Sequence, residues 1–401
     1  MDPVVWEWVN LVIRWVHVIT GIAWIGSSFY FIHLDASLRK RESLPAGVGG
    51  EAWQVHGGGF YHIQKYMVAP ADLPDRLQWF KWEAYSTWIS GFALLAVLYY
   101  FGARIYLVDR AVLPLEPWQA VVIGIVSLTA GWVIYDRLCK SAVGREDGRL
   151  AAVGFVLLVA AAWFYAHVFS GRGAYIHTGA LIGTIMVANV FLVIIPNQKI
   201  VVADLIAGRS PDPKLGKQAK QRSLHNNYLT LPVLFTMISN HYPMTFGSRW
   251  NWVILAGVFV VGGLVRHFFN LKHQGRGAQW WLWPAAAAFM ALIVALSAQR
   301  PQQRAAAMAP AGGGEVRFAA VRQIIGERCV ACHASRPTFD GIAEAPKGVM
   351  FDTSDEIHRN AERIYAQAVA TDTMPLGNLT NMTPEERATL GAWIKAGAKV
   401  D

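Results

Sequence analysis

Eight apolar stretches, each close to the length of a membrane span, constrain this chain more than any other feature. They cover residues 8–32, 85–101, 118–135, 151–169, 176–195, 224–240, 252–269 and 280–298. A helix needs about 20 apolar residues to cross the hydrocarbon core of a bilayer. The first stretch lacks a basic leader and a small-residue cleavage site, so we expect a retained span there and not a signal peptide. The sixth is short and contains Pro232. The pattern predicts a bundle of eight transmembrane helices.

Composition supports a membrane protein. Hydrophobic residues make up 54% of the chain and charged residues only 16%, and there are 17 tryptophans. Tryptophan collects at membrane–water interfaces. The net charge of +9 is uneven, because residues 315–401 carry 10 Lys and Arg against 12 Asp and Glu. The basic excess lies in short loops between apolar stretches, so we expect no nucleic-acid partner.

Basic residues alternate between loops, and this alternation predicts an orientation. The loops after the first, third, fifth and seventh stretches are rich in Lys and Arg; they contain Arg39, Lys40, Arg41, Lys65, Arg76, Lys81, Arg137, Lys140, Arg145, Arg149, Lys199, Arg209, Lys214, Lys217, Lys220, Arg222, Lys272 and Arg276. The loops between them contain only Arg104, Arg110, Arg172 and Arg249. The positive-inside rule places the rich loops in the cytoplasm. With eight spans, both termini then lie outside.

The chain divides into three parts. Residues 1–298 form the membrane domain, and residues 299–314 (QRPQQRAAAMAPAGGG) have the composition of a linker. Residues 315–401 have a soluble, helical pattern. In this last part Thr383, Pro384 and Glu386 have the spacing of a helix start, with a capping residue, a proline at the first position and a Glu three residues after the cap.

The C-terminal part carries a haem-attachment motif. Cys329, Cys332 and His333 form C-x-x-C-H, the signature of c-type haem. Two thiols at this spacing can add to the vinyl groups of one porphyrin, and the adjacent His then binds the iron. The alternative is a redox dithiol or half of a zinc site. Cys139 lies alone in a loop, and we assign it no role. The predicted fold class is all-α, an eight-helix transmembrane bundle followed by a small class I-like cytochrome c domain.

A sixth iron ligand is expected downstream of this motif. Met374 is the preferred candidate because Pro375 stiffens the chain beside its sulfur, and a thioether raises the reduction potential of a haem. The competitors are Met350, Met382 and His358. The closing helix, with Leu390, Trp393 and Ile394, would cover the haem edge or simply pack in the core. Haem attachment takes place outside the cytoplasmic membrane, which agrees with the external C-terminus.

Ionisable side chains within the spans are costly and therefore suggest function. His17, His167, His177 and His241 lie toward the outer half or surface, whereas His33, His225, His267 and His273 lie near the inner surface. One hypothesis is that histidines from different helices hold one or two b-type haems, with imidazoles on both sides of the iron and the outer set as possible ligands. The alternative is that neighbouring helices or the membrane interface satisfy these histidines. Arg14 and Arg266 also lie within or at the edge of spans.

The first basic loop contains an unusual segment. Residues 56–66 read HGGGFYHIQKY, which combines glycines, aromatic rings, imidazoles and an amine. Three glycines would let the backbone approach a flat ligand or an anion. The segment lacks the Gly-Lys-Ser/Thr end of a phosphate-binding loop. A merely flexible loop is the alternative.

Four segments resemble the bacterial membrane-bound urate oxidases, also called urate dehydrogenases. They are residues 15–29 (WVHVITGIAWIGSSF), 56–66, 81–85 (KWEAY) and 196–198 (PNQ). The resemblance covers essentially the whole chain, although the C-x-x-C-H motif is shared by cytochromes c in general. It implies oxidation of urate to 5-hydroxyisourate, with electrons passed through the haem c to the respiratory chain. It also implies a multi-pass bacterial inner-membrane protein whose cytochrome domain is periplasmic.

The residues of the substrate site stay open. A urate site should combine a buried cation, amides for the purine edge and an aromatic ring. The candidates are Arg14, Arg266, Asn189, Asn197, Gln198 and the segment 56–65, with His17 or His62 as the general base. Urate bound near the cytoplasm would require electrons to cross roughly 30 Å of hydrocarbon core. Urate bound in the outer half would place the donor close to the haem.

Two other functions are compatible with this sequence. One is a non-catalytic conduit, in which a membrane-anchored cytochrome c serves another dehydrogenase. The other is a dehydrogenase for a different small metabolite or a quinol. In each case the expected partners are the lipid bilayer and an electron acceptor, either a soluble cytochrome c or a terminal oxidase. The acidic C-terminal domain predicts a basic, salt-sensitive docking face on that acceptor.

Overall fold

The computed structural model describes residues 3–70, 72–110, 112–298, 316–339, 342, 344–370 and 373–400. Most of these residues are helical, and several of the helices are apolar, which confirms this part of the predicted fold class. The predicted linker at residues 299–314 lies outside the described residues.

A helix covers most of each apolar stretch predicted from the sequence. These helices are α1 (Pro3–Ser37), α2 (Trp82–Leu95, continued by π-helical Ala96–Tyr100), α4 (Pro117–Lys140), α5 (Asp147–Val168), α6 (Gly171–Ala188, continued by π-helical Asn189–Ile194 and by α7, Ile195–Ile206), α8 (Pro213–Ile238), α10 (Asn251–His273) and α11 (Leu282–Ala298). Two short helices, α3 (Ala103–Tyr106) and α9 (Pro243–Phe246), lie in the connections between them.

Within the described residues, five helices are long and apolar enough to cross a membrane. They are Val5–Ser37, Pro117–Lys140, Asp147–Val168, Gly171–Ile206 and Asn251–His273. The number eight stays a prediction, because α11 has only 17 residues and the first half of α8 is strongly basic. Large apolar side chains on the outside of these helices suit contact with lipid. Ile22 is 66% exposed and Val126 is 60% exposed.

Adjacent helices run antiparallel and approach closely at glycines. His17 of α1 lies against Gly91 of α2, whereas Gly21 lies against Thr87. Gly262 of α10 accommodates Pro232 inside α8, since a Cβ at Gly262 would lie 2.9 Å from the proline Cδ. This order brings the start of α1 and the α2–α4 connection to one end of the bundle, where Trp6 contacts Phe101, and the basic loops to the other. His17 lies about halfway along the α1–α2 pair.

A two-stranded sheet replaces the flexible loop that was one reading of residues 56–66. Strand β1 (Val48–His56) pairs antiparallel with β2 (Gly59–Tyr66). Gly57 and Gly58, with φ of +59° and +79°, form the turn between them. Two residues with positive φ suit the tight turn of a hairpin, and glycine adopts that conformation without strain. The all-α prediction does not include this element.

The C-terminal part is a separate set of helices around its own core. It contains α12 (Phe318–Arg328), α13 (Ser354–Arg359), α14 (Ala361–Ile364, continued by π-helical Tyr365–Val369) and α15 (Pro384–Lys395). The predicted start of α15 is confirmed: Glu386 N donates to Thr383 Oγ1 over 3.2 Å, and Thr383 N donates to the Glu386 carboxylate over 2.7 Å. Leu390 and Trp393 are buried in the core of this domain.

Candidate functional site

Two cavities lie inside the membrane part, and they share a wall. The first, the His17 cavity, has a volume of about 330 Å³ and lies among α1, α2, α6 and α8. The second, the Gln198 cavity, has a volume of about 490 Å³ and lies nearer the C-terminal end of α1. Trp24 and Ser28 line both cavities. This part of α1 therefore forms the boundary between them.

The orientation of the His17 ring is fixed by α2. Its Nδ1 lies 3.0 Å from the Thr87 carbonyl oxygen and 3.3 Å from Ser90 Oγ. A carbonyl oxygen only accepts hydrogen bonds, so the neutral ring carries its proton on Nδ1 and leaves a lone pair on Nε2. Gly91 allows this packing, since a Cβ there would lie 2.7 Å from His17 Cε1. His17 thus offers a proton-accepting nitrogen in a cavity that it lines.

One end of the His17 cavity collects a guanidinium, an amide and an imidazole side chain. Arg14, Asn240 and His241 line this end, whereas most of the remaining wall is apolar. Asn240 Oδ1 accepts hydrogen bonds from the Tyr99 hydroxyl over 3.1 Å and from Arg172 Nε over 3.2 Å. Because these two donors bind the amide oxygen, they fix the orientation of the Asn240 side chain and leave its NH₂ group as a hydrogen-bond donor. An anion in this part of the cavity would meet positive charge and hydrogen-bond donors.

The same end of the bundle contacts the C-terminal domain. Tyr99 lines the cavity and packs on Tyr106 with ring centroids 6.2 Å apart. Two residues later, the Val108 carbonyl oxygen approaches Gly377 so closely that a Cβ at Gly377 would lie 2.9 Å from it. Gly377 is three residues from Met374. A short path of contacts therefore joins the His17 cavity to the Met374 loop.

The four histidines predicted as b-haem ligands do not come together. His17 and His241 share a cavity, but His167 bonds the Trp163 carbonyl of its own helix over 2.7 Å. His177 is fully buried, and a Cβ at Gly124 would lie only 2.9 Å from its Nε2. The backbone of α4 thus fills the space that a porphyrin would need beside this nitrogen. These residues do not fit a b-type haem as a set.

Histidines of the inner set take part in contacts between helices. His33 and His273 meet edge to face with ring centroids 4.4 Å apart. His225 Nδ1 lies 2.7 Å from the Tyr135 hydroxyl, and His267 Nδ1 lies 2.7 Å from the Tyr228 hydroxyl. His225 and His267 are thus hydrogen-bonded between helices, whereas Nδ1 of both His33 and His273 is buried without a hydrogen-bond partner among the described residues.

Three of the proposed substrate-binding residues are also used in packing. Arg266 lies 3.8 Å from the Phe29 ring centroid and donates to Asn227 and Asn270. Asn189 accepts from the buried Arg222 over 3.2 Å. The side chain of Asn197 bonds the start of α8 at Leu215 and Gln218. These groups hold helices together, so the structure leaves Arg14 and Gln198 as the cavity-lining members of the predicted set.

The Gln198 cavity combines segments that are distant in sequence. Trp24, Ser27 and Ser28 line it from residues 15–29, Glu83 from residues 81–85 and Gln198 from residues 196–198. Three of the four segments that carry the family resemblance therefore converge on one space. Its remaining wall adds Gln78, Trp79 and Phe80, which precede α2 and were not predicted as site residues. In the sequence, the only sign of such a role is that these three residues combine an amide with two aromatic rings in one loop.

His62 belongs to the hairpin and is paired within it. Its Nε2 lies 2.7 Å from the Glu51 carboxylate, and its ring stacks on Trp53 at 4.1 Å between centroids. The hydrogen bond from His62 is the main cause that lowers the pKa of Glu51. The fourth family-like segment thus forms a folded hairpin, and His62 interacts with that hairpin and not with a cavity wall.

The C-x-x-C-H segment follows α12 directly. His333 Nδ1 lies 2.9 Å from the Val349 carbonyl oxygen, which leaves Nε2 available to a metal. Burial raises the pKa of Cys329 to about 12 and also raises the pKa of Cys332. A reactive dithiol needs thiols of lowered pKa, so the raised pKa values of these two thiols do not support a redox dithiol.

Met374 lies in a loop tied to the same core as the motif. Met374 and Cys329 both pack against that core. Arg387 donates a hydrogen bond of 2.6 Å to the Met374 carbonyl and a second one to the Ala368 carbonyl. Arg328, next to Cys329, forms an ion pair of 2.9 Å with Glu386 at the start of α15. The loop and the motif are therefore held by one network.

The competing ligands have other surroundings. Met382 is buried in the core, and His358 Nδ1 bonds the Ala398 carbonyl over 2.8 Å. Met350 is half-buried. Within the described residues, no group of three or more His, Cys, Asp and Glu side chains is arranged to hold a metal ion.

Comparison with known protein families gives a match to roughly the N-terminal three quarters of the chain. A family model described as urate oxidase N-terminal matches residues 3–297. This span includes both cavities and all four segments that resemble the urate oxidases. No curated protein and no solved structure matches the chain.

Proposed function

Because this chain belongs to the urate oxidase N-terminal family, we propose that it oxidises urate to 5-hydroxyisourate at a membrane and passes the electrons through a covalent c-type haem to the respiratory chain. The reaction combines urate with one water and releases two electrons and two protons, as a C–O bond forms at C5. It needs a site for a flat anion, a base for the water and a path for electrons.

The composition of the His17 cavity carries the proposal. Arg14 and His241 would pair with the purine anion, and Trp24 would stack on its ring. His17 Nε2, with its lone pair directed by the Thr87 carbonyl, would take a proton from the attacking water. A positioned base typically contributes about 10²–10⁴-fold to such a step. Arg14 and His17 are two of the residues predicted from the sequence as catalytic.

The position of this cavity supports a short path for electron transfer. Tyr99, Tyr106 and Val108 lead from the cavity wall to Gly377, beside Met374. Urate in the His17 cavity would therefore lie on the haem side of the bundle, and no second carrier has to bridge the membrane. This geometry favours the outer of the two locations that the sequence left open.

The residues of the C-terminal domain fit a c-type haem. Cys329 and Cys332 would attach it, His333 Nε2 would bind the iron, and Met374 would supply the sixth ligand. The Val349 carbonyl holds His333 in the required tautomer, and Arg387 holds the backbone of Met374. When bound, such a haem supplies a one-electron acceptor of raised potential.

The Gln198 cavity supports entry of urate from the end of the bundle that carries the basic loops, opposite the C-terminal domain. Its amides, Gln78 and Gln198, can pair with the polar edge of a purine, and Trp79 can stack on the ring. Glu83 gives the cavity one carboxylate, which does not favour tight retention of an anion. We place the first, weaker encounter with urate here and its oxidation beyond Trp24 and Ser28.

The distribution of charge supports a bacterial inner-membrane location. Basic loops at the Gln198 end would face the cytoplasm, and the haem domain would lie in the periplasm. The acidic domain would then meet a soluble cytochrome c or a terminal oxidase. Its reoxidation should slow with increasing ionic strength, because exposed charges are screened within about 8–10 Å.

Anaerobic addition of urate to the purified, haem-loaded chain tests this function. The visible spectrum should change to that of reduced c-type haem with urate alone, with two haems reduced per urate consumed. Xanthine and a short-chain quinol serve as comparison substrates. A pyridine haemochrome measurement on the same sample counts c-type and b-type haem.

Each outcome separates two functions. Reduction by dithionite but not by urate would favour the electron conduit for another dehydrogenase. Reduction by the quinol in preference to urate would identify a different substrate class. A b-type signal would contradict the conclusion that the outer histidines do not fit such a haem.

A further inference from the structure

The β1–β2 hairpin runs alongside α1 toward the middle of the apolar helix. Gly50 of β1 lies against Leu38, and four residues later Gln54 accepts a hydrogen bond of 2.9 Å from Tyr30. Four strand residues extend about 13 Å, and the eight helix residues between Tyr30 and Leu38 extend about 12 Å. The two lengths agree, so the strand and the helix are nearly antiparallel. Tyr30 belongs to the candidate span Val5–Ser37.

The hairpin carries ion pairs at its base and an exposed apolar pair near its turn, where the last pair is His56 with Gly59. At the base, Lys65 forms an ion pair of 2.7 Å with Asp35, and Arg41 forms one of 3.1 Å with Glu51. Nearer the turn, Val55 pairs with Phe60 across the strands, and they are 72% and 81% exposed. These are among the most exposed large apolar side chains in the described part of the chain.

A lipid surface matches this polarity. Basic and acidic groups at the base would lie among the headgroups, while the apolar side chains near the turn would contact acyl chains. The two strands satisfy each other's inward backbone groups, and the outer edge of β1 is paired with Arg39 at Glu51, near the base. Toward the turn, the outer edges have no strand partner among the described residues. Unpaired backbone groups are costly in hydrocarbon. The insertion should therefore be shallow and limited to the turn and the two pairs nearest to it, His56 with Gly59 and Val55 with Phe60.

We propose that the turn of the β1–β2 hairpin inserts into the lipid leaflet beside α1, with Val55 and Phe60 as the inserted side chains. The proposal rests on the membrane location given under the proposed function. The partner is the bilayer itself, and neither a soluble protein nor a second copy of this chain is needed to cover these residues.

Spin-label accessibility in vesicles tests the insertion. Phe60→Cys and, separately, Val55→Cys are made in a Cys139→Ser background, in haem-loaded protein whose other two cysteines are attached to the haem. The labelled chain is reconstituted in phosphatidylethanolamine–phosphatidylglycerol vesicles. Collision rates with oxygen, which concentrates in lipid, are compared with those for a water-soluble nickel chelate. Val126→Cys on the exposed face of α4 is the lipid control, and Lys217→Cys in the basic half of α8 is the water control.

We expect the oxygen-to-nickel ratio at Phe60 and Val55 to approach that at Val126 and to exceed that at Lys217 several-fold. A ratio equal to that at Lys217 would overturn the insertion, as would protection from both reagents, which would indicate a protein partner or a second copy. A high nickel accessibility at Val126 itself would instead refute the membrane location, so the two failures are distinguishable.

Discussion

The His17 cavity and the Gln198 cavity share Trp24 and Ser28, yet their walls differ in chemistry. The His17 cavity is mostly apolar, holds an oriented imidazole, and has a guanidinium and an amide toward the end of the bundle that contacts the C-terminal domain. The Gln198 cavity offers amides, hydroxyls, aromatic rings and one carboxylate near the basic loops. The first has groups suited to proton and charge transfer. The second has groups suited to recognising a purine edge.

This difference is compatible with recognition of urate in one cavity and its oxidation in the other. Interactions that bind substrate and transition state equally well do not raise the chemical rate. Under the proposed function, a weak encounter site followed by a reaction site would let the Gln198 cavity select purines, while oxidation would take place in the His17 cavity, on the side of the C-terminal domain. Substitutions on the two sides should therefore change different kinetic constants.

Replacement of the oriented base should give the largest effect. We expect His17→Gln to lower the rate constant for urate-driven haem reduction by about 10²-fold or more, since it removes the proton acceptor. The apparent KM for urate should change little. Stopped-flow absorbance of the c-type haem measures both constants. His167→Gln is the matched control, and retention of most of the activity by His17→Gln would refute the base assignment.

Disruption of the contact between the C-terminal domain and the bundle should have the next largest effect. In Gly377→Ala the new Cβ would press on the Val108 carbonyl, and we expect reduction by urate to slow on the order of tenfold, as small misplacements do. Gly397→Ala also adds a side chain at a positive φ, in a place with open space around it. If both variants slow equally, backbone strain and not docking is the cause.

Loss of the shared wall should affect both cavities together. Trp24→Ala removes the ring that would stack on urate, and a loss of about 1–1.5 kcal/mol corresponds to roughly a tenfold lower kcat/KM. Both kcat and KM should change, because Trp24 lines both spaces. Steady-state reduction of an added cytochrome c gives these constants. Trp118→Ala, on the exposed surface of α4, should behave as the unmodified chain does.

Removal of one purine-edge amide should give the smallest effect. Gln198→Ala loses one hydrogen bond, worth about 1 kcal/mol, so we expect an approximately fivefold higher KM with kcat unchanged. The exposed Gln274→Ala is the control for loss of a surface amide. A drop in kcat without a change in KM would place the oxidation in the Gln198 cavity, and the division between the two cavities would be wrong.

Several elements could be predicted because their signals are local. The apolar stretches predict helices since each supplies enough residues in one run, and the order of Thr383, Pro384 and Glu386 predicts the start of α15. The hairpin was missed because Gly57 and Gly58 were interpreted as flexible. Glycine is compatible with both a loose loop and a tight turn, and the pairing of Trp53 with His62 decides between them.

The histidines show where prediction from sequence ends. Hydropathy and loop charge place His17, His167 and His177 along the membrane normal, but not around the helix axis. His17 lines a cavity, His167 lies on its own helix surface, and His177 is enclosed by α4. These three histidines have similar predicted depths in the membrane, but helix packing places them in different surroundings.

The sequence by itself determined the helical class, the membrane-like pattern of apolar stretches and the predicted haem-attachment residues, since each depends on residues close together in the chain. Only the tertiary structure decided that Trp24, Glu83 and Gln198 line one cavity, and that Tyr106 and Val108 lead to Gly377. These groupings depend on which face each helix turns toward its neighbour. Side-chain packing between antiparallel helices sets that rotation, and no single segment of the sequence contains it.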